Sequence, residues 1–131
     1  MASGTSPSKE VVLSKAALNA AKHLGLSGVE LAKLLGTSEE SASQLAAAER
    51  FLNPNSPEGE RALMLIQIFR SLDALVGGDA DARFSWMNAH NLAIGDLPRH
   101  AMQTLSGLKH TRAYLNSLLA GPWQPDSNES R

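Results

Sequence analysis

The chain has 131 residues, 43% of them hydrophobic, which suffices for one compact core or for two small lobes that share one. Twelve Lys and Arg stand against 13 Asp and Glu, so the formal charge is -1 and no overall positive field draws the chain to nucleic acid or to an acidic membrane. Without cysteine, disulfides and thiolate chemistry are excluded.

The opening stretch MASGTSPSKE is small and polar, with no apolar run behind a basic start, so residues 1–12 read as a disordered tail rather than a secretory signal. The longest apolar run, Ala62 to Phe69, is far too short to span a bilayer. A soluble, cytoplasmic protein with no membrane association is expected. Helix formers dominate and no run alternates apolar with polar residues over five or more positions, which predicts an all-α fold.

Ser14 is the expected N-cap of a first helix that stops at Gly25, with Leu13, Ala17, Ala20, Ala21 and Leu24 as its apolar stripe. Ser27 and Glu30 have capping-box spacing for a second helix that turns Val29, Leu31, Leu34 and Leu35 inward and ends at Gly36. Thr37 or Ser38 then caps a third helix, expected to run through Leu52. The short join makes residues 13–55 a helix-turn-helix lobe, although an αα-corner in a purely structural bundle produces the same pattern.

If the lobe reads DNA, Ser38, Ser41 and Gln44 are placed to reach base edges, and Lys33 and Arg50 are the cations available to phosphates. Glu39, Glu40 and Glu49 oppose them. One copy would bind weakly, and linked copies would bind better.

The loop NPNSPEGE marks a boundary. Ser56 caps and Pro57 opens a long central helix, so residues 56–78 form one element closed by Gly77 and Gly78. Only a Gln67/Arg70/Ser71 strip of it is polar, which predicts either a central place in the core or a homodimer interface. Asp79 caps the next helix, which carries Phe84, Trp86 and Met87. The turn LAIGDLP follows, and Pro98 begins a short helix. Gly107 leads into a last helix with Leu108, Tyr114, Leu115, Leu118 and Leu119 on one side. Gly121 and Pro122 stop it, and 123–131 reads as a flexible tail.

The four histidines share no helix face with a second ligand, no glycine loop cradles phosphate, and no serine sits on a nucleophile elbow. No catalytic residue, metal site or cofactor is expected, and the chain does not read as an enzyme.

Trp86-Met87, Asn91, Ile94-Gly95-Asp96-Leu97-Pro98, Gly107 and Tyr114-Leu115 together resemble the toxin-binding domain of the Xre/MbcA/ParS antitoxins, over about Asp79 to Pro122. An Xre-like helix-turn-helix before it fits the same family plan. Met87 and Ile94 replace the more usual leucines, and Ala89-His90 stands where a proline often precedes the asparagine.

The resemblance implies an antitoxin of a type II toxin-antitoxin system. Its partner would be a RES-domain toxin that consumes NAD or transfers ADP-ribose. The antitoxin would cover the toxin's NAD pocket, and the complex would bind operator DNA and repress its own operon. By this resemblance the toxin face is the last helix and the tail, with Lys109, His110, Arg112, Tyr114, Asn116, Trp123 and Arg131 as its residues. Trp86, Asn91, Gly95, Pro98 and Gly107 would form the turn and core that position it. Read from the residues alone, Trp86 and Tyr114 are ordinary core aromatics, and Lys109, His110 and Arg112 a solvated face. The alternative function is a stand-alone helix-turn-helix transcription regulator without a toxin partner.

Overall fold

The computed structural model describes residues 8–120, which form seven helices and no strand. The first helix, α1, spans Lys9–His23 and begins five residues before Ser14: Ser8 is the N-cap, its hydroxyl accepting from the Val11 amide at 3.2 Å. The expected tail over 1–12 is therefore helical from Lys9 onward. Ser14 is no cap but a buried core residue. Its hydroxyl donates to the Glu10 carbonyl at 2.7 Å and accepts from the Leu52 amide at 2.7 Å, satisfying a buried backbone donor 38 residues away.

Helices α2, Gly28–Leu35, and α3, Glu39–Ala46, make the helix-turn-helix. The Ser27/Glu30 capping box is formed in full, and Gly36 closes α2 at φ 75°. The third helix stops six residues short of Leu52. Ala48 adopts φ 61°, and the Glu49 amide bonds back to the Gln44 carbonyl at 2.8 Å. A left-handed alanine costs about 1 kcal/mol. The reversal swings Leu52 into the core, where it is wholly buried, and so offsets that cost.

The long helix α4 spans Pro57–Leu75, with Ser56 capping it and Pro57 in its first turn. It packs on α2 and, more extensively, on α1 and on the last helix, α7, Leu105–Ala120. Its apolar circumference is thus largely covered by this chain's own helices: Ala62, Leu65, Ile68 and Leu72 are fully buried. Small residues on α1 (Ala17, Ala20, Ala21) let the two backbones approach closely. One continuous cluster joins Leu34 and Leu45 of the first lobe with Leu108 and Leu115 of the second through α4. Between α4 and α7 lie α5, Ala80–Met87, and the short α6, Pro98–Ala101.

Inside this core, Thr111 of α7 is fully buried and its hydroxyl has no hydrogen-bond partner. An unsatisfied buried hydroxyl costs about 1–3 kcal/mol, whereas valine has nearly the same shape and no polar atom. Thr111→Val should therefore stabilise the protein by about 1 kcal/mol in chemical unfolding. A less stable valine variant would show that the hydroxyl has a partner.

Candidate functional site

The turn between α5 and α6 is a self-contained hydrogen-bonded unit. The Asn91 carboxamide oxygen accepts from the Ala93 and Ile94 amides, the Gly95 amide donates to the Asn91 carbonyl at 2.7 Å, and the Asn91 amide donates to the Asp96 carbonyl at 3.0 Å. Gly95 sits at φ 86°, a conformation that disfavours any side chain. Pro98 is buried at the start of α6. His100 Nδ1 lies 2.5 Å from Asp96 Oδ2, pairing across the helix start rather than on one helix face. That hydrogen bond, with help from the Leu97 amide, holds the Asp96 carboxyl below the usual aspartate range.

Trp86 is half-buried and packs against the edge of the common core. Gly107 plays a different part from Gly95. A Cβ there would lie 1.9 Å from the Ala101 carbonyl oxygen, so the absent side chain is what lets the end of α6 press against α7.

The residues expected on the toxin face fall on two sides of α7, divided by its buried stripe of Leu108, Thr111 and Leu115. Arg112 and Asn116 turn toward α4: Arg112 donates to the Gln67 side chain at 3.0 Å, and the Ser71 hydroxyl donates to Asn116 at 3.4 Å. Lys109 is exposed beside them by helical spacing. His110 and the half-buried Tyr114 lie on the other side, where His110 lines a cleft with Lys33, His100 and Gly107. Trp123 and Arg131 lie outside the described residues.

In the helix-turn-helix, the Ser38 hydroxyl accepts from the Ser41 amide at 3.0 Å and so caps α3. Ser41 and Gln44 are half-buried, while Glu39, Glu40 and Ser43 are exposed. Arg50 is not a free cation. Its Nε donates to the Ser41 carbonyl, and its two terminal nitrogens form a fork with Glu58 at 3.1 and 2.5 Å. Lys33 is exposed, but it faces the cleft toward α6 and α7. The reader helix, already short of cations in the sequence, has still fewer available in the fold.

Two arginines that no sequence pattern marked join the lobes. Arg99, just after Pro98, donates to both Glu30 oxygens (2.9 and 2.8 Å), to the Asn88 side chain (2.6 Å) and to the Gly25 carbonyl (2.6 Å). Arg83 is only 8% exposed. It donates to the His23 carbonyl and to Asp73 at 2.8 Å, and it lies 5.7 Å from the Phe69 ring centre. Nothing periodic signals either residue, because their partners lie up to 74 positions away.

Hydrogen bonds from Arg99, aided by the Ser27 amide, outweigh the burial of Glu30 and lower its carboxyl pKa to about 2. In an unfolded chain that carboxyl would protonate near 4.5. The stability it contributes is thus complete above that value and is lost as pH falls toward about 2. The difference in unfolding free energy between wild type and Glu30→Gln should accordingly shrink on acidification through this window. Parallel curves for the two proteins would refute the coupling.

Among the described residues no group of three or more His, Asp or Glu is arranged to hold a metal, and no helix is long and apolar enough to cross a membrane. Compared with known protein families, residues 6–67 match the antitoxin Xre-like helix-turn-helix domain, and residues 71–121 match the antitoxin Xre/MbcA/ParS C-terminal toxin-binding domain. The two matches divide α4 between them, although in the fold that helix is the shared spine of both lobes. No curated protein matches the chain.

Proposed function

Because the chain belongs to the Xre/MbcA/ParS antitoxins, with both family domains present in order, we propose that it neutralises a RES-domain toxin by covering that toxin's NAD site. The observation that carries this reading is the toxin-binding domain over residues 71–121, with α7 exposing Lys109, His110, Leu118 and Leu119 beyond the part the core requires. The Lys109 ammonium suits the rim of a pocket shaped for an anionic dinucleotide. The chain's contribution is binding and not catalysis.

The helix-turn-helix gives the second half of the proposal: the toxin-antitoxin complex represses its own operon. With Arg50 engaged and Glu39 and Glu40 exposed, a single reader has few cations for phosphates. Ser38, Ser41 and Gln44 then contribute base contacts only when several copies are held together by the toxin.

Titration tests this directly. The full chain and the product of the adjoining gene should associate with a nanomolar Kd, and the complex should shift upstream DNA at lower concentration than the chain alone. A failure of the two proteins to associate would remove the reading.

A further inference from the structure

Two depressions on the face of α4 away from α2 meet at one residue. The first is an apolar groove of about 410 Å³ between α1 and α4, floored by Leu13 and Ile66 and edged by Val12, Leu63, Lys9 and Arg70. Polar side chains line the second, between α4 and α7: Gln67, Arg70, Ser71, Arg112 and Asn116. Arg70 borders both, so they form one continuous surface.

Its composition is unlike the rest of the chain. The protein has more acids than bases, yet no Asp or Glu lines either depression. Arg112 is aligned by its hydrogen bond to Gln67, and Arg70 is exposed with no hydrogen-bond or ion-pair partner among the described residues. Beside these cations Val12 is 52% and Leu63 49% exposed, although Met64, Leu65 and Ile66 next to Leu63 are buried. A ligand that satisfies the whole surface must offer aliphatic side chains to the groove and carboxylates to the arginines.

We infer that this surface seats an amphipathic, acidic helix of the toxin, with its aliphatic face between α1 and α4 and its carboxylates on Arg70 and Arg112. The inference rests on the antitoxin reading and extends the toxin face from α7 across α4 to α1. Nucleic acid supplies anions for the arginines but no apolar face for the groove. A second copy of this chain, related by a two-fold axis, sets this cation-bearing surface against the same surface, which offers no carboxylate to its arginines. An acidic protein segment meets neither objection, and a bidentate carboxylate matches the guanidinium geometry.

The test titrates the full chain against the purified product of the adjoining gene at low and moderate salt. Arg70→Glu with Arg112→Glu should weaken binding about a hundredfold, with the larger loss at low salt. Leu63→Asp should weaken it about tenfold or more at either salt. Charge reversal of the exposed Lys22 should change affinity by less than about threefold. Arg70 and Leu63 are exposed, so unchanged circular dichroism and melting are expected; if Arg112→Glu lowers the melting temperature, Arg70→Glu alone decides the matter.

Wild-type binding that all these variants retain would overturn the inference and leave the antitoxin reading intact. No wild-type binding would overturn both. A Leu63→Asp variant with wild-type toxin affinity but a lower mass by light scattering would assign the surface to a second copy. Arginine variants that lose only operator binding would assign it to DNA.

Discussion

Gly107→Ala should cost about 3 kcal/mol of folding stability, the largest loss expected from adding one methyl group to this chain. Alanine is the better helix former by about 1 kcal/mol, so propensity alone predicts a gain. The geometry decides otherwise: the added carbon would sit 1.9 Å from the Ala101 carbonyl oxygen, a backbone atom that cannot swing aside without moving α6 from α7. The displaced α7 should also lose toxin affinity, since Arg112 and Asn116 are positioned by its packing on α4. Urea unfolding of the variant tests the claim, and a stability within about 0.5 kcal/mol of wild type would mean that the contact relaxes freely. Gly59 is held to the same constraint by the Asn53 carbonyl, which a Cβ would approach to 2.1 Å.

Arg99→Met should destabilise by about 3 kcal/mol, and the loss should be felt in both lobes at once. Methionine keeps much of the aliphatic stem but removes four hydrogen bonds to Glu30, Asn88 and Gly25. Glu30 is then a mostly covered carboxylate without its cation, which is costlier than the absence of the whole pair. Adding Glu30→Gln to the variant should recover part of the loss, because it removes that stranded charge. Additive single-mutant costs would contradict this account. Amide exchange should rise at the start of α2 as well as around α6, since Glu30 is half of the α2 capping box.

Local rules made much of the fold legible. Ser27 with Glu30, Ser56 with Pro57, Asp79, and the glycines after α2 and α4 act within a few residues of themselves, and each cap or stop stands where its chemistry requires. Ser14 misled because it is chemically a good cap but serves a distant amide, and an intrinsic preference cannot report a bond to Leu52. Ala48 gave no warning of the end of α3, since alanine favours helix and only the pull of Leu52 into the core turns the chain there.

The same limit applies to the functional surfaces. Lys33 and Arg50 stood near the reader helix in sequence, yet Arg50 is tied to Glu58 and Lys33 faces the lobe junction. In the sequence Arg70 is only part of a polar strip, and its place between an apolar groove and Arg112 depends on how α1 and α7 flank α4. Gly107 was legible as part of a motif, but the carbonyl it admits was not.

Expressing the adjoining gene product in bacteria with and without this chain, while following growth and cellular NAD, shows whether the chain neutralises a toxic partner. The neighbour alone should arrest growth and deplete NAD, and co-expression of this chain should restore both. A harmless neighbour, or an arrest that persists while both proteins are soluble, would contradict the antitoxin reading.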